Sequence, residues 1–134
     1  MANAVYPIGK KALLDADVDL LVDTIKIVLL TSSYTYSASH DFLNDITAGY
    51  RVSTSSALSS KTTTGGAFDA ADVTFTALTG SAVRSWVLYK DTGTESTSQL
   101  LAYFDTVSGG GSLNYTPNGS DFTLVFGSSG IFTI

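Results

Sequence analysis

The chain has no cysteine, two prolines, one histidine, one tryptophan and a single glutamate, Glu95, among its 134 residues. Without cysteine there are no disulfides, thiolate zinc sites or cysteine nucleophiles. Such a chain can be made in a reducing cytoplasm and later meet an oxidising exterior unchanged. A lone His40 has no second imidazole with which to share general acid–base work. Charge is also scarce, at 14% of residues against roughly 25% in ordinary soluble domains. The net charge is −5 with only seven basic residues, so the basic field that nucleic-acid binding needs is missing. Long apolar runs are absent: Ile25 to Leu30 is interrupted by Lys26 and is far too short to cross a bilayer. The segment from Met1 to Pro7 lacks the basic and apolar regions of a secretory signal. The expectation is therefore a chain that engages neither nucleic acid nor membrane.

What fills the gap left by charge is hydroxyl. Ser and Thr number 18 each, 36 of 134 positions, while apolar content stays at 44%, too high for a disordered chain. One domain over residues 1–134 is expected from the length. The N-terminal third carries the helical signals. Leu14, Val18, Leu21 and Ile25 recur at spacings of four, three and four, one face of a helix over residues 9–23. Lys10 and Lys11 at its start and Asp23 at its end oppose the helix dipole, so it should be short or interrupted. A second short helix is expected after an N-cap at Ser37 or Ser39, running through Phe42 and Leu43 to Ile46.

Between and beyond these, the period becomes that of strands. Ile25 to Thr31 is β-branched and nearly continuous, as in a strand buried on both faces. Val73, Phe75 and Ala77 alternate with threonines, and Phe122, Leu124 and Phe126 repeat the pattern. Residues 83–90 and 99–105 read as a strong strand pair joined by a polar loop, and residues 131–134 as a last strand. Glycine-rich turns, including Gly65-Gly66, Thr79-Gly80, Gly109-Gly110-Gly111 and Pro117-Asn118-Gly119, separate the remainder. This predicts a mainly-β fold: a single-domain antiparallel β-sandwich or barrel with one or two short helices in the N-terminal third.

Few residue groups carry chemistry. Asp15, Asp17 and Asp19 alternate as in an EF-hand loop, but its sixth position is Leu20 instead of Gly and its twelfth is Lys26 instead of Glu. They read as a solvated acidic face. Ser39-His40-Asp41 holds the three residue types of a catalytic triad, yet consecutive residues cannot aim at one another. The glycine run at 109–111 is followed by no lysine and no helix, so it is a hairpin loop and not a phosphate cradle. Glu95 lies in a Thr/Ser-rich loop and reads as solvated. No catalytic residue, metal ligand or cofactor is expected. Among the aromatics, Trp86 sits in an apolar run and belongs to the core. Tyr34 and Tyr36 flank Thr35 in a polar stretch and share a side, available either for contact with protein or sugar or for covering the end of the core.

The opening residues 1–7, with Gly9-Lys10 and Ala12-Leu13-Leu14, resemble small virion structural proteins of tailed bacteriophages. So do Asp19-Leu20-Leu21, Ile25-Lys26, Tyr34-Thr35-Tyr36-Ser37, His40-Asp41-Phe42-Leu43 and the run from Phe68 to Phe75. The match continues through residues 88–94, 100–105 and Thr116-Pro117-Asn118-Gly119, in order along almost the whole chain. The resemblance departs at Ala16, where a glycine is expected before Asp17. It implies a non-enzymatic virion component of poorly defined role: a capsid decoration or accessory protein on the assembled head, or a tail, neck or fibre part touching host glycans. The partners it implies are the major capsid protein or other virion proteins, with self-association as a ring or dimer. The implied location is the virion, assembled in the host cytoplasm. Residues 1–8 are expected to form an arm reaching onto a partner, with Tyr6, Pro7, Tyr34 and Tyr36 as partner-binding residues.

Overall fold

A computed structural model describes residues 3–107 and 111–133. Its centre is an antiparallel five-stranded sheet built from β1 (Ala4–Val5), β2 (Ile25–Leu30), β3 (Arg51–Thr54), β6 (Ser85–Lys90) and β7 (Leu100–Phe104), in the order β1-β7-β6-β2-β3. Two antiparallel ribbons accompany it. β4 (Ala67–Phe68) pairs with β9 (Phe132–Thr133), and β5 (Val73–Phe75) with β8 (Phe122–Leu124). The described strands close no barrel, because the large sheet ends at β1 on one side and β3 on the other. The mainly-β, antiparallel expectation is met. The glycine run at 109–111 falls largely outside the described residues.

The sheet is buried on both faces, and the alternation along β2 assigns its residues. Ile25, Ile27 and Leu29 join Trp86, Leu88, Ala102 and Phe104 in one core. Val28 and Leu30 join Val87, Tyr89, Leu100 and Tyr103 in the other. The first core is covered by Ala12, Val18 and Leu20 and by both ribbons. The second is closed by the connection from β2 to β3, through Tyr34, Leu43 and Ile46, together with Tyr6. Two bulges tune the pleat. Leu88 faces Ala102 while Tyr89 faces Leu100, which leaves Leu101 as an extra residue on β7. A similar shift leaves Val52 as the extra residue between Arg51 and Ser53 on β3.

The helix is shorter than the periodicity over 9–23 implies. It is α1 (Pro7–Leu14), with Pro7 at its first turn, where a missing N–H costs nothing. It stops because Ala16 adopts φ 60°. The Asp17 amide then donates to Ala12 O at 2.9 Å and the Ala16 amide to Leu13 O at 3.4 Å, a Schellman closure normally made with glycine. Leu14 and Leu21, expected on the buried face, are 84% and 50% exposed. Dipole opposition and a left-handed residue outweighed the apolar spacing. The second expected helix is a single 3-10 turn, Leu43–Asp45. Neither Ser37 nor Ser39 caps it; Asp45 instead accepts from the Asp41 and Phe42 amides at 2.7 and 3.1 Å, which holds its carboxyl below the usual range.

The proposed arm is part of the fold from Ala4 onward. Ala4 and Val5 pair with Tyr103 and Ala102, and the Tyr6 amide donates to Leu101 O at 2.9 Å. Gly9 then rides directly on the Leu101 bulge; a Cβ there would lie 2.7 Å from Leu101 O. Two substitutions test this entry segment. Ala16→Gly should stabilise the protein by about 0.5–1 kcal/mol, relieving the left-handed penalty at some entropic cost. Gly9→Ala should destabilise it by about 1–3 kcal/mol through overpacking. Urea unfolding monitored by Trp86 fluorescence reads both.

Candidate functional site

At one end of the large sheet β2 finishes, β6 begins and β7 finishes, side by side. The chain leaving β2 turns back over this end and carries Tyr34 and Tyr36 with it. Between them lies a pocket of about 250 Å3 lined by these tyrosines, Tyr103, Ser32, Arg84 and Asp105, among others. The Tyr34 and Tyr36 rings stand 6.0 and 5.5 Å from that of Tyr103, so the two share a side as their spacing implied. Tyr36 also packs at 4.9 Å on Tyr6.

Depth divides the four residues expected to meet a partner. Tyr6 is completely buried and Tyr34 is 6% exposed, so neither ring forms an exposed contact surface. Pro7 is exposed but serves as the helix start, and Tyr36 is half-buried at the pocket wall. Tyr6 and Tyr34 are held by a polar chain: Tyr6 Oη lies 2.7 Å from Tyr34 Oη, which lies 2.9 Å from His40 Nδ1. The chain gives each of the two buried hydroxyls a hydrogen-bond partner. Burial pushes the Tyr34 phenol up to about 12 and raises that of Tyr6 further, the bond to Tyr34 adding to the rise.

The rim was not legible in the sequence. Arg84 and Asp105 flank separate strands 21 positions apart, and only the antiparallel neighbourhood of β6 and β7 brings both to the pocket. Arg84 is exposed, and among the described residues its guanidinium meets no carboxylate. Burial raises the Tyr103 phenol; the neighbouring Ser85 hydroxyl tempers that rise and Asp105 adds to it. Ser85 Oγ is itself buried and completes no hydrogen bond of normal geometry.

The other candidates resolve into local structure. Asp19 accepts from the Leu21 and Val22 amides, while Asp23 accepts from the Asp19 amide and pairs with Lys90 at 3.3 Å. Asp15 pairs with Lys11. Among the described residues, no group of three or more His, Asp or Glu is placed to hold a metal ion. Ser39 bonds Ser37 and His40 bonds Tyr34, so the three triad types do not converge. Glu95 is not simply solvated: it pairs with Arg51 at 3.0 Å, and Arg51 also donates to Ile46 O. Trp86 is buried, stacked at 4.2 Å on Phe104. Beside them a larger cleft of about 610 Å3 opens toward Val125, Phe126 and Ile131. Among the described residues, no helix is long and apolar enough to cross a membrane.

Tyr34→Phe should cost about 1–3 kcal/mol, because it strands the buried Tyr6 hydroxyl. Alkaline pH gives an independent check. A phenol whose pKa is higher folded than unfolded contributes stability that is intact below pH 10 and is lost as pH rises toward about 12. Stability should therefore fall across that window, less steeply in Tyr34→Phe, as read by urea unfolding at stepped pH.

No protein-family model matches the chain, and no curated protein is similar to it.

Proposed function

We propose that the chain is a non-enzymatic structural protein of a tailed-bacteriophage virion, a capsid decoration or accessory protein binding the assembled head. The phage context comes from the sequence resemblance. The observation that supports an assembly role is the segment following α1. Leu14, Leu21 and Val22 are 84%, 50% and 79% exposed within nine residues, although the backbone that carries them is firmly held. The Schellman closure fixes one end, and Asp19 ties the turn. Lys90 Nζ reaches Asp17 O at 2.9 Å and Lys61 Nζ reaches Asp23 O at 2.5 Å. Exposed aliphatic side chains close together along a held backbone would suit contact with another protein, and a pre-ordered segment loses little further entropy on docking.

In this reading the occupant is the major capsid protein, and the large sheet faced by two ribbons is an open sandwich. Hydroxyl in place of charge suits many copies side by side, since closely packed like charges repel. A ring or dimer on the shell follows the usual closed symmetry. The protein would reside in the virion, assembled in the host cytoplasm. The second reading, a tail, neck or fibre component touching host glycans, is favoured by the aromatic pocket at Tyr36.

Quantifying the protein in purified particles separates the two. A head protein should be present on the order of hundreds of copies, in proportion to the capsid protein, as a closed symmetric shell requires. A dozen or fewer would place it in the tail. The double variant Leu14→Ser, Val22→Ser should fold normally yet be lost from particles; undiminished incorporation would remove this segment as the contact.

A further inference from the structure

We propose that the cleft beside Trp86 is a two-fold contact between two copies of this chain, each seating its Val125 in the cleft of the other. The assembly reading invokes a ring or dimer without assigning a surface; this inference supplies one and rests on that reading only for where the dimer is used. Exposure is the first observation. Five large apolar side chains stand exposed among the described residues. Leu14, Leu21 and Val22 belong to the segment after α1, and the other two, Val107 and Val125, at 40% and 53%, line this cleft. Phe122, Phe126 and Ile131 are half-buried and supply its walls. Trp86 and Phe104 are buried, so they form its floor and not its contact surface.

Charge is the second observation. The cleft holds about 610 Å3, and none of its described lining residues is charged, in a chain of net charge −5. Asp72 is outside the lining, and its carboxylate accepts from the Phe126 amide at 2.9 Å. A two-fold axis brings the same face of both copies together, so such a contact tolerates no concentration of like charge. The polar side chains of the cleft are hydroxyls, such as the exposed Ser128 and Ser129, and one amide. Each type both donates and accepts, so it can pair with its own kind across the axis. Segment 14–22 fails the same condition: Asp15, Asp17 and Asp19 are exposed between its aliphatic residues and would repel their copies. Position then decides the symmetry. Val125 protrudes from the lining of the cleft itself, so knob and socket lie on one face. Reciprocal insertion therefore closes at two copies instead of running on as a filament.

The test is sedimentation equilibrium on the full-length protein, from roughly 1 μM to 1 mM, where small interfaces associate. A reversible monomer–dimer equilibrium is expected, and salt at about 1 M should not dissociate it, because the contact holds no ion pairs to screen. Val125→Lys sets like charge against like and should raise the dissociation constant about a hundredfold or more. Ser129→Lys, on the exposed rim, should act in the same direction and keeps the test valid if urea unfolding shows that Val125→Lys disturbs the fold. The double variant Leu14→Ser, Val22→Ser should remain dimeric, so its loss from particles and the loss of the dimer are separate results. Four results would overturn the assignment: protein monomeric throughout the range, assemblies that grow beyond two copies with concentration, a dimer indifferent to both lysine variants, or a dimer abolished in Leu14→Ser, Val22→Ser. A tail-like copy number in particles would overturn the head reading and leave the dimer standing.

Discussion

Everything in this fold follows from a sheet whose three inner strands are apolar on both sides. Once β2, β6 and β7 are paired, Ile27 and Leu88 point one way while Val28 and Val87 point the other, and all four are completely buried. Neither face can be left to water, since each such side chain contributes about 1.5–3 kcal/mol on burial. The chain outside the sheet is committed to covering it. Helix α1 and the two ribbons take one face, and the long connection after β2 takes the other. The tyrosine pocket arises where that second cover meets the end of the sheet.

The strands were legible because their signals are local. The nearly continuous apolar run at 25–30, the alternation at 73–75 and 122–124, and the strong pair near 85–90 and 100–104 each appear where composition and period place them. The N-terminal helix was read too long because three of the apolar residues in its supposed stripe serve different ends. Val18 enters the core, whereas Leu14 and Leu21 remain in water. Periodicity cannot register that Ala16 accepts a conformation usually left to glycine. The position where a glycine was expected before Asp17 therefore lies where the helix ends.

The pocket was half legible. Two tyrosines separated by one residue implied a common side, and both do approach Tyr103. Their exposure could not be foreseen, because the partners that bury Tyr34 come from Tyr6, 28 positions earlier, and from Tyr103 in another strand. The same holds for Arg84 and Asp105, whose neighbourhood is a product of strand order. Polar residues in a hydroxyl-rich chain look alike until pairing sorts the few that meet an aromatic wall from the many that meet solvent.

The Val52 bulge bears on how the protein behaves at high density. A sheet rim with regular, unpaired amides and carbonyls is a template for another strand. Here the outer strand β3 is broken in register by its extra residue, and the opposite rim strand β1 is only two residues long. Neither margin offers a straight ladder of useful length. A surface so poor in charge has little electrostatic repulsion to keep copies apart, so the irregular rims become its main safeguard against runaway strand-to-strand polymerisation. Any contact between copies would thereby fall to side chains, which can be specific, and not to backbone, which cannot.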